Sequence, residues 1–445
     1  MEPTSPPVTV EEGQRRILAC ARPLSRERVS ATDPGVGGRV LAVDVFSFRD
    51  LPPSPVSVMD GWAVRVADVL GRAGGDPRAR VTLTRAGESA AGHPAARSLP
   101  AGAAMRISTG AVIPAGADAV IAQEDTRIVE TDDGAADLEL DLERVGALRP
   151  GLFIRQAGSD VRKHALLCGA GVSLGPGELA LLCSAGHDAF AVHRRPRVAI
   201  LCSGDELVAI GRSPRPGQIV STNGLMLAHQ IREAGGVPVD LGVAPDEPTQ
   251  LQAALARGLE ADALVTSGGI SVGDHDLVHA CLEALGFEAL FRRVNLKPGR
   301  PTTCGRTPGG ALVFALPGNP ASSMVAFELL VRPALRKLQG HAEPRWRRPR
   351  LTVALTHPLP AAGRRDSYLR AQVYRDASGW CASALRSQAS GALRSISETN
   401  ALLVIPGGTP ARPIGARVEA LVTGPLPAPA EGTWTIRHER EPREP

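Results

Sequence analysis

Lysine is almost missing from this chain: among its 50 basic residues only Lys163, Lys297 and Lys337 are lysines. The bias toward arginine fits a GC-rich genome. A net charge of +4 spread over 445 residues is too small and too dispersed to make a nucleic-acid-binding face, so no nucleic-acid partner is expected. Cysteine is scarce too. The seven are scattered without a CxxC pair, which argues against a zinc site or a disulfide framework and for reduced thiols. Cys202 and Cys281 lie in apolar runs and read as core. No apolar run approaches the roughly 18 residues of a membrane span. Residues 1–7 lack the basic-then-apolar order of a signal peptide, so the expected compartment is the cytoplasm, without membrane contact. There is no GxxxxGK[ST], which excludes a P-loop nucleotidase.

What is present is a hydrophobic share of 43% with 22% charged residues, ordinary for a soluble globular protein, at a length that calls for two to four domains. From 197 to 340 short apolar runs alternate with amphipathic stretches, predicting a parallel sheet with helices on both faces. Strands are expected over 197–202, 237–243, 263–266 and 311–316. Helices are expected over 222–234 (capped by Ser221 or Thr222), from 248 to 259, from 274 to 285 and over 321–338. Beyond Gly340 the pattern changes to alternation, as in Leu351, Val353 and Leu355, which predicts a small β domain over 341–424. The remainder, 425–445, is rich in Pro, Glu and Arg and reads as a disordered tail. Before 197 a helix over 10–21 is legible, and strands over 79–83, 119–122 and 138–142 suggest a β-rich module inserted in a mixed segment.

In a sheet of this kind ligands bind at the carboxyl ends of the strands, so the loops there deserve most weight. They read Ser203-Gly204-Asp205-Glu206, then Asp246-Glu247, then Ser267-Gly268-Gly269-Ile270-Ser271-Val272-Gly273, then Pro317-Gly318-Asn319-Pro320. Glycines leading into a helix let backbone N–H groups approach an anionic oxygen, and phosphate is the natural guest; a plain strand-to-helix connector is the competing account. Glu206, Asp246 and Asp276 can hold Mg²⁺ against a phosphate. Equally, Asp246 can serve only to start the turn before Pro248, and Asp276 only to complement a helix dipole. The basic turn Lys297-Pro298-Gly299-Arg300-Pro301, preceded by Arg292 and Arg293, offers an oxyanion contact, or else a solvated loop. In the first half, Asp60-Gly61 and Ser108-Thr109-Gly110 mark two further polar clusters, each also readable as an ordinary turn.

Six runs carry a resemblance: SVMDGWAV (57–64), ISTGAVIPAGADAVIAQED (107–125), SGDELV (203–208), TSGGISVGDHD (266–276), LKPGRP (296–301) and ALPGNPASS (315–323). In this order they resemble the MoeA/gephyrin family of molybdopterin molybdenumtransferases, over about residues 10 to 422. The resemblance implies a four-part subunit, usually a homodimer, with a pterin-binding α/β domain at 197–340 and a C-terminal β domain at 341–424. It also implies a lid-like β module at 52–155, inserted into a mixed segment made of 10–51 and 156–196. The implied reaction takes adenylylated molybdopterin and molybdate, cleaves the phosphoanhydride with Mg²⁺ or a similar divalent cation, and releases AMP.

Matched by motif, the resemblance implies Asp60, Thr109, Asp276 and Lys297 as catalytic residues and Glu206, Asp246 and Asp276 as metal ligands. The glycine loop (Ser267, Gly268, Gly269, Ser271, Gly273) and Pro317, Gly318, Asn319 and Pro320 would bind the pterin substrate. Arg293, Arg300, Arg364, Arg365 and Ser390 would hold molybdate. Trp62 stands where the family usually has Tyr, arginines replace lysines at 293 and 300, and Gly391 follows Ser390 where His is common. Two rival readings are adenylylation of molybdopterin, which needs only the 197–340 domain, and a non-catalytic pterin-binding scaffold.

Overall fold

The computed structural model describes residues 6–130, 136–269 and 277–427. Its central domain is numbered here: β1 (Arg197–Ser203), β2 (Val237–Ala244), β3 (Ala263–Ser267), β4 (Glu288–Phe291), β5 (Thr303–Arg306) and β6 (Leu312–Leu316), with α1 (Asn223–Glu233), α2 (Pro248–Gly258), α3 (Leu277–Ala284) and α4 (Pro320–Ala326). The sheet order is β2-β1-β3-β6-β5-β4. The chain leaves β1 toward one side and returns on the other, which makes the β1/β3 boundary a topological switch point.

Strands β2, β1, β3 and β6 are parallel, as expected, but β5 runs antiparallel to both β6 and β4. The turn from Arg306 to Leu312 is too short for a parallel crossover, so it closes a hairpin. Strands β4 and β5 both escaped the sequence reading; the run Thr303-Cys304-Gly305-Arg306 of β5 carries no apolar alternation.

Alternate side chains of the buried strands face opposite ways. Val198, Ile200 and Phe314 join Leu227, Ile231 and Phe327 in one core, whereas Ala199, Leu201 and Val313 meet Leu251, Leu255, Val278 and Leu282 in another. Eleven-residue helices such as α1 and α2 are marginal alone. The sheet holds them, each buried Leu or Ile contributing about 2 kcal/mol. Thr222 occupies the N-cap of α1 but makes no side-chain cap bond, because its own backbone is already helical (φ −103°, ψ −19°). The single closing helix expected over 321–338 is three pieces: α4, a π turn at Phe327–Val331, and a helix at Arg332–Leu338. Residues 274–276, the expected start of the third helix, lie outside the described residues, as does 428–445 of the expected tail.

The helix Val10–Cys20, capped by the Thr9 hydroxyl accepting from the Glu12 N–H, inserts Val10 and Ile17 into the same core as β1. The expected strand at 79–83 is longer, Arg80–Ser89; that at 119–122 is found as Ala119–Ala122, and the third is Ala136–Asp141. They belong to a six-stranded sheet. Gly61 is required there, since a Cβ would collide with the Ile121 carbonyl across the sheet.

The C-terminal strands close on themselves. Asp366–Asp376 pairs with Gly379–Ala384 and with Ala401–Ile405, and Arg350–Leu355 with Gly379–Ala384 and Arg417–Val422, which in turn pairs with Ala401–Ile405, making a small barrel. Among the described residues no helix is long and apolar enough to cross a membrane.

Candidate active site

At the switch point three loops are in direct contact. A Cβ on Gly268 would strike the Ser203 carbonyl, and one on Gly269 would lie 2.6 Å from the Ser203 hydroxyl, so both glycines permit a close backbone approach. Gly318 lies against Gly268 from the β6 side. Asn223, at the start of α1, ties them together, donating to the Ser267 hydroxyl at 2.9 Å and to the Gly318 carbonyl at 2.7 Å. Among the described residues neither the buried Ser203 hydroxyl nor the buried Asn223 side-chain Oδ1 has a hydrogen-bond partner, which leaves polar capacity at the mouth of the cleft. Asn223 was missed by the sequence reading, which saw only a helix start there; an Asn in the first turn beside a switch point was the available signal.

On the β2 side of this mouth stands an acidic edge. The Asp246 N–H donates to Asp205 at 3.1 Å, and the Asp246 carboxyl is held above the usual range by burial first, then by the charges of Asp205 and Glu206. The turn-starting role falls to its neighbour: Glu247 caps α2, accepting from the Thr249 and Gln250 N–H groups at 3.0 and 2.8 Å, and is lowered by those bonds. Asp246 is therefore free for something else. Crowded carboxylates of this kind suit a divalent cation. Among the described residues no group of three or more His, Cys, Asp or Glu side chains is arranged to hold a metal ion. Asp276, the third expected ligand, lies outside the described residues together with Ser271 and Gly273.

On the far side the basic turn meets the barrel. Leu296–Lys297 forms a short strand that adds to Asp366–Asp376, with Leu296 opposite Asp366 and Lys297 opposite Ser367, next to Arg364 and Arg365. Lys297 and Arg300 are exposed, and a Cβ at Gly299 would lie 3.6 Å from the Ser322 carbonyl in α4. From the barrel, Ser390 reaches the same helix: its carbonyl accepts the Ala321 N–H at 3.0 Å, just after Asn319 and Pro320. The loop carrying Ser390 is held from beneath by Arg370, fully buried, which donates to the Ser387 and Ala389 carbonyls at 3.3 and 2.9 Å and to the Ser395 hydroxyl at 2.7 Å. Nothing in the local sequence marks Arg370 for this task. Arg293 is engaged by its backbone, the carbonyl accepting from Val8.

Asp60 and Thr109 find each other but not the cleft. Asp60 accepts from the Thr109 N–H at 2.6 Å and hydroxyl at 3.0 Å. These bonds, with the Arg106 charge, lower its pKa. Both are exposed on the β module, and among the described residues no hydrogen bond or ion pair joins either to the α/β domain.

Residues 8–186 match the MoeA N-terminal region (domain I and II), 199–337 the probable molybdopterin binding domain, and 352–423 the MoeA C-terminal region (domain IV). The chain is 36% identical over 378 residues to a molybdopterin molybdenumtransferase of Nostoc sp., covering 83% of each. It is 32% identical over 417 residues to one from Bacillus subtilis, covering 94% of each. Two solved structures of the molybdopterin biosynthesis MoeA protein from Pyrococcus horikoshii superpose with TM-scores of 0.78 and 0.77 at 31% and 27% identity, covering 94% of this chain and 100% of those.

Proposed function

The chain belongs to the MoeA family, and from that premise we propose that it is a molybdopterin molybdenumtransferase, inserting molybdate into adenylylated molybdopterin with release of AMP as the final step of molybdenum-cofactor biosynthesis. The observation that carries this reading is that one row of strand ends has carboxylates at one side and a cationic, hydroxyl-bearing seam at the other, with a glycine-lined mouth between. A phosphoanhydride and a doubly charged oxyanion need those two environments side by side.

In this reading Glu206, Asp246 and Asp276 hold Mg²⁺ or a similar divalent cation. When bound, such a cation draws charge from the phosphoanhydride oxygens and eases departure of AMP. The Gly268 and Gly269 backbone, with Ser267, Ser271, Gly273 and the turn from Pro317 to Pro320, orients the pterin substrate. Arg293, Arg300, Arg364, Arg365 and Ser390 hold molybdate, with Lys297 beside them as a catalytic residue. Asp60 and Thr109 are exposed and distant in contacts from their own cleft, so a homodimer in which each lid serves the partner subunit accounts for them. The protein is proposed to act in the cytoplasm.

The experiment is to incubate purified protein with adenylylated molybdopterin, molybdate and Mg²⁺ and to follow AMP and active cofactor. AMP release that needs both ions is expected. Absence of AMP release overturns the reading, adenylylation of molybdopterin from ATP would reassign the step, and an Asp276→Ala variant with full activity would favour a non-catalytic scaffold.

A further inference from the structure

The helix Arg332–Leu338 ends in a group of basic side chains that the proposed reaction does not use. Arg332 and Arg336 lie one turn apart on it, and the chain then folds back over them. The His341 N–H donates to the Arg336 carbonyl at 3.2 Å, Arg336 Nε to the Arg345 carbonyl at 3.3 Å, and the Trp346 indole to the His341 carbonyl. Arg348 stands beside them but is already paired, with Glu328 at 2.8 Å and Glu233 at 2.9 Å. Glu328 also accepts from Gln230 at 3.0 Å.

The others are not compensated. Arg332, 9% exposed, has the Glu328 carboxylate at 4.0 Å, and among the described residues its buried Nε and Nη1 have no hydrogen-bond partner. His341 is 3% exposed, and neither ring nitrogen has a hydrogen-bond partner among the described residues. Arg336 and Arg345 form no ion pair among the described residues. Four arginines (332, 336, 345, 348) against two glutamates (233, 328) leave a surplus of two positive charges, part of it deep inside. Ordered water can satisfy the donors but leaves that charge unbalanced. Burial and the cations Arg336, Arg345 and Arg332 push His341 down to about 3, so its ring is neutral and keeps one N–H to donate.

We propose that Arg332, Arg336, His341 and Arg345 bind a small tetrahedral oxyanion of the phosphate class, at a site separate from the switch-point cleft. The donors run from the exposed Arg345 through half-buried Arg336 to buried Arg332 and His341. The position gives the ion a structural task. Gly340 packs against the His193 ring, Ala342 lies 3.1 Å from the Gly171 Cβ position, and Arg348 leads into the barrel, so the ion fastens the joint between the N-terminal segment, the α/β domain and the barrel.

The test measures melting of the full chain against inorganic phosphate, sulfate and AMP, with ionic strength held constant by chloride. Phosphate and sulfate are expected to raise the melting temperature in a saturable way, and Lys297→Ala is expected to keep a saturable rise. In Arg345→Ala and Arg336→Gln the apparent affinity should fall about ten-fold or more. Arg345 is exposed, so its variant folds even if one at buried Arg332 does not. No saturable rise overturns the proposal, as does a rise that Lys297→Ala abolishes and Arg345→Ala keeps. A response to AMP that exceeds the response to phosphate and disappears in Arg345→Ala would overturn the inorganic-ion assignment in favour of a phosphomonoester.

Discussion

Replacing Asp246 by Asn is expected to stabilise the metal-free protein while removing its activity. The Asp246 carboxyl is held above its ordinary value by burial and by Asp205 and Glu206. A raised carboxyl pKa means that the folded state takes up the proton more readily than the unfolded chain. The cost is therefore absent below the unfolded value of about 4, grows as pH rises through the folded value, and is complete at neutral pH. Asn lifts that cost and keeps the backbone N–H that Asp205 accepts. Because the Asp246 carboxyl is only partly buried, in a residue exposed overall, and solvent screens its neighbours, the gain should stay below about 1 kcal/mol, or about 3 °C in melting temperature. Magnesium should reverse the order. At ten times its dissociation constant a cation bound only by the folded wild type adds about 1.4 kcal/mol, and the variant should gain little. Thermal melts at pH 7.5 in chelator and in Mg²⁺, with AMP release measured alongside, would decide it. A variant that melts below wild type in chelator, or that shifts equally with Mg²⁺, refutes the placement of a cation at this edge.

Thr109→Val keeps the N–H and loses the hydroxyl donor, so the Asp60 carboxyl should titrate closer to the ordinary range by NMR, with turnover about ten-fold lower. The stability that Asp60 contributes is present above the ordinary carboxylate range and lost as pH falls through its lowered value, so the variant should lose its share of acid stability at higher pH. Gly61→Ala drives a methyl into the Ile121 carbonyl and should destabilise the β module by about 3 kcal/mol; hydrogen exchange should quicken at 61–64 and 119–122 while the α/β domain stays protected. Arg370→Met removes three hydrogen bonds beneath the Ser390 loop, partly offset by no longer burying a cation, and should cost about 2 kcal/mol. Its molybdate KM should rise about ten-fold with kcat little changed, whereas an equal fall in kcat would deny it a positioning role.

The readable parts of this chain are those where local pattern and tertiary demand coincide. Strands β1, β3 and β6 are buried on both faces, so they appear in sequence as continuous apolar runs, and they and the more exposed edge strand β2 were found within a residue or two. Strand β5 is a hairpin partner whose residues are chosen by what lies beneath them, as Gly305 is by the Glu288 carbonyl and the Phe287 ring, and it left no periodic trace. The π turn at Phe327–Val331 was invisible for a similar reason: its residues, Glu328 included, are buried throughout and show no one-sided pattern, so a continuous helix fits the sequence equally well. The residues that line the cleft were legible because they follow strands. Those that hold the lining in place, Asn223 and Arg370, were not, since their roles depend on partners 44 and 95 positions away for the first and on a loop 17 to 25 positions away for the second.

The two ends of the candidate cleft are built differently, and this has a functional consequence. The acidic edge, Asp205, Glu206 and Asp246, comes from the loops that follow two neighbouring strands of one sheet and is tied across them by the Asp246 N–H to Asp205. The cationic end straddles a seam: Lys297 and Arg300 come from the α/β domain, while Arg364, Arg365 and Ser390 come from the barrel. Among the described residues a two-residue strand pairing and the Ala321–Ser390 bond are the backbone links between those groups, while Tyr368, Leu402 and Leu421 of the barrel share the core of the α/β domain behind them. A small tilt of the barrel therefore changes the spacing of the oxyanion contacts and leaves the carboxylates in place. Anything that fastens the joint, including the buried arginine cluster behind the helix Arg332–Leu338, should act first on affinity for the oxyanion and only weakly on cleavage of the phosphoanhydride.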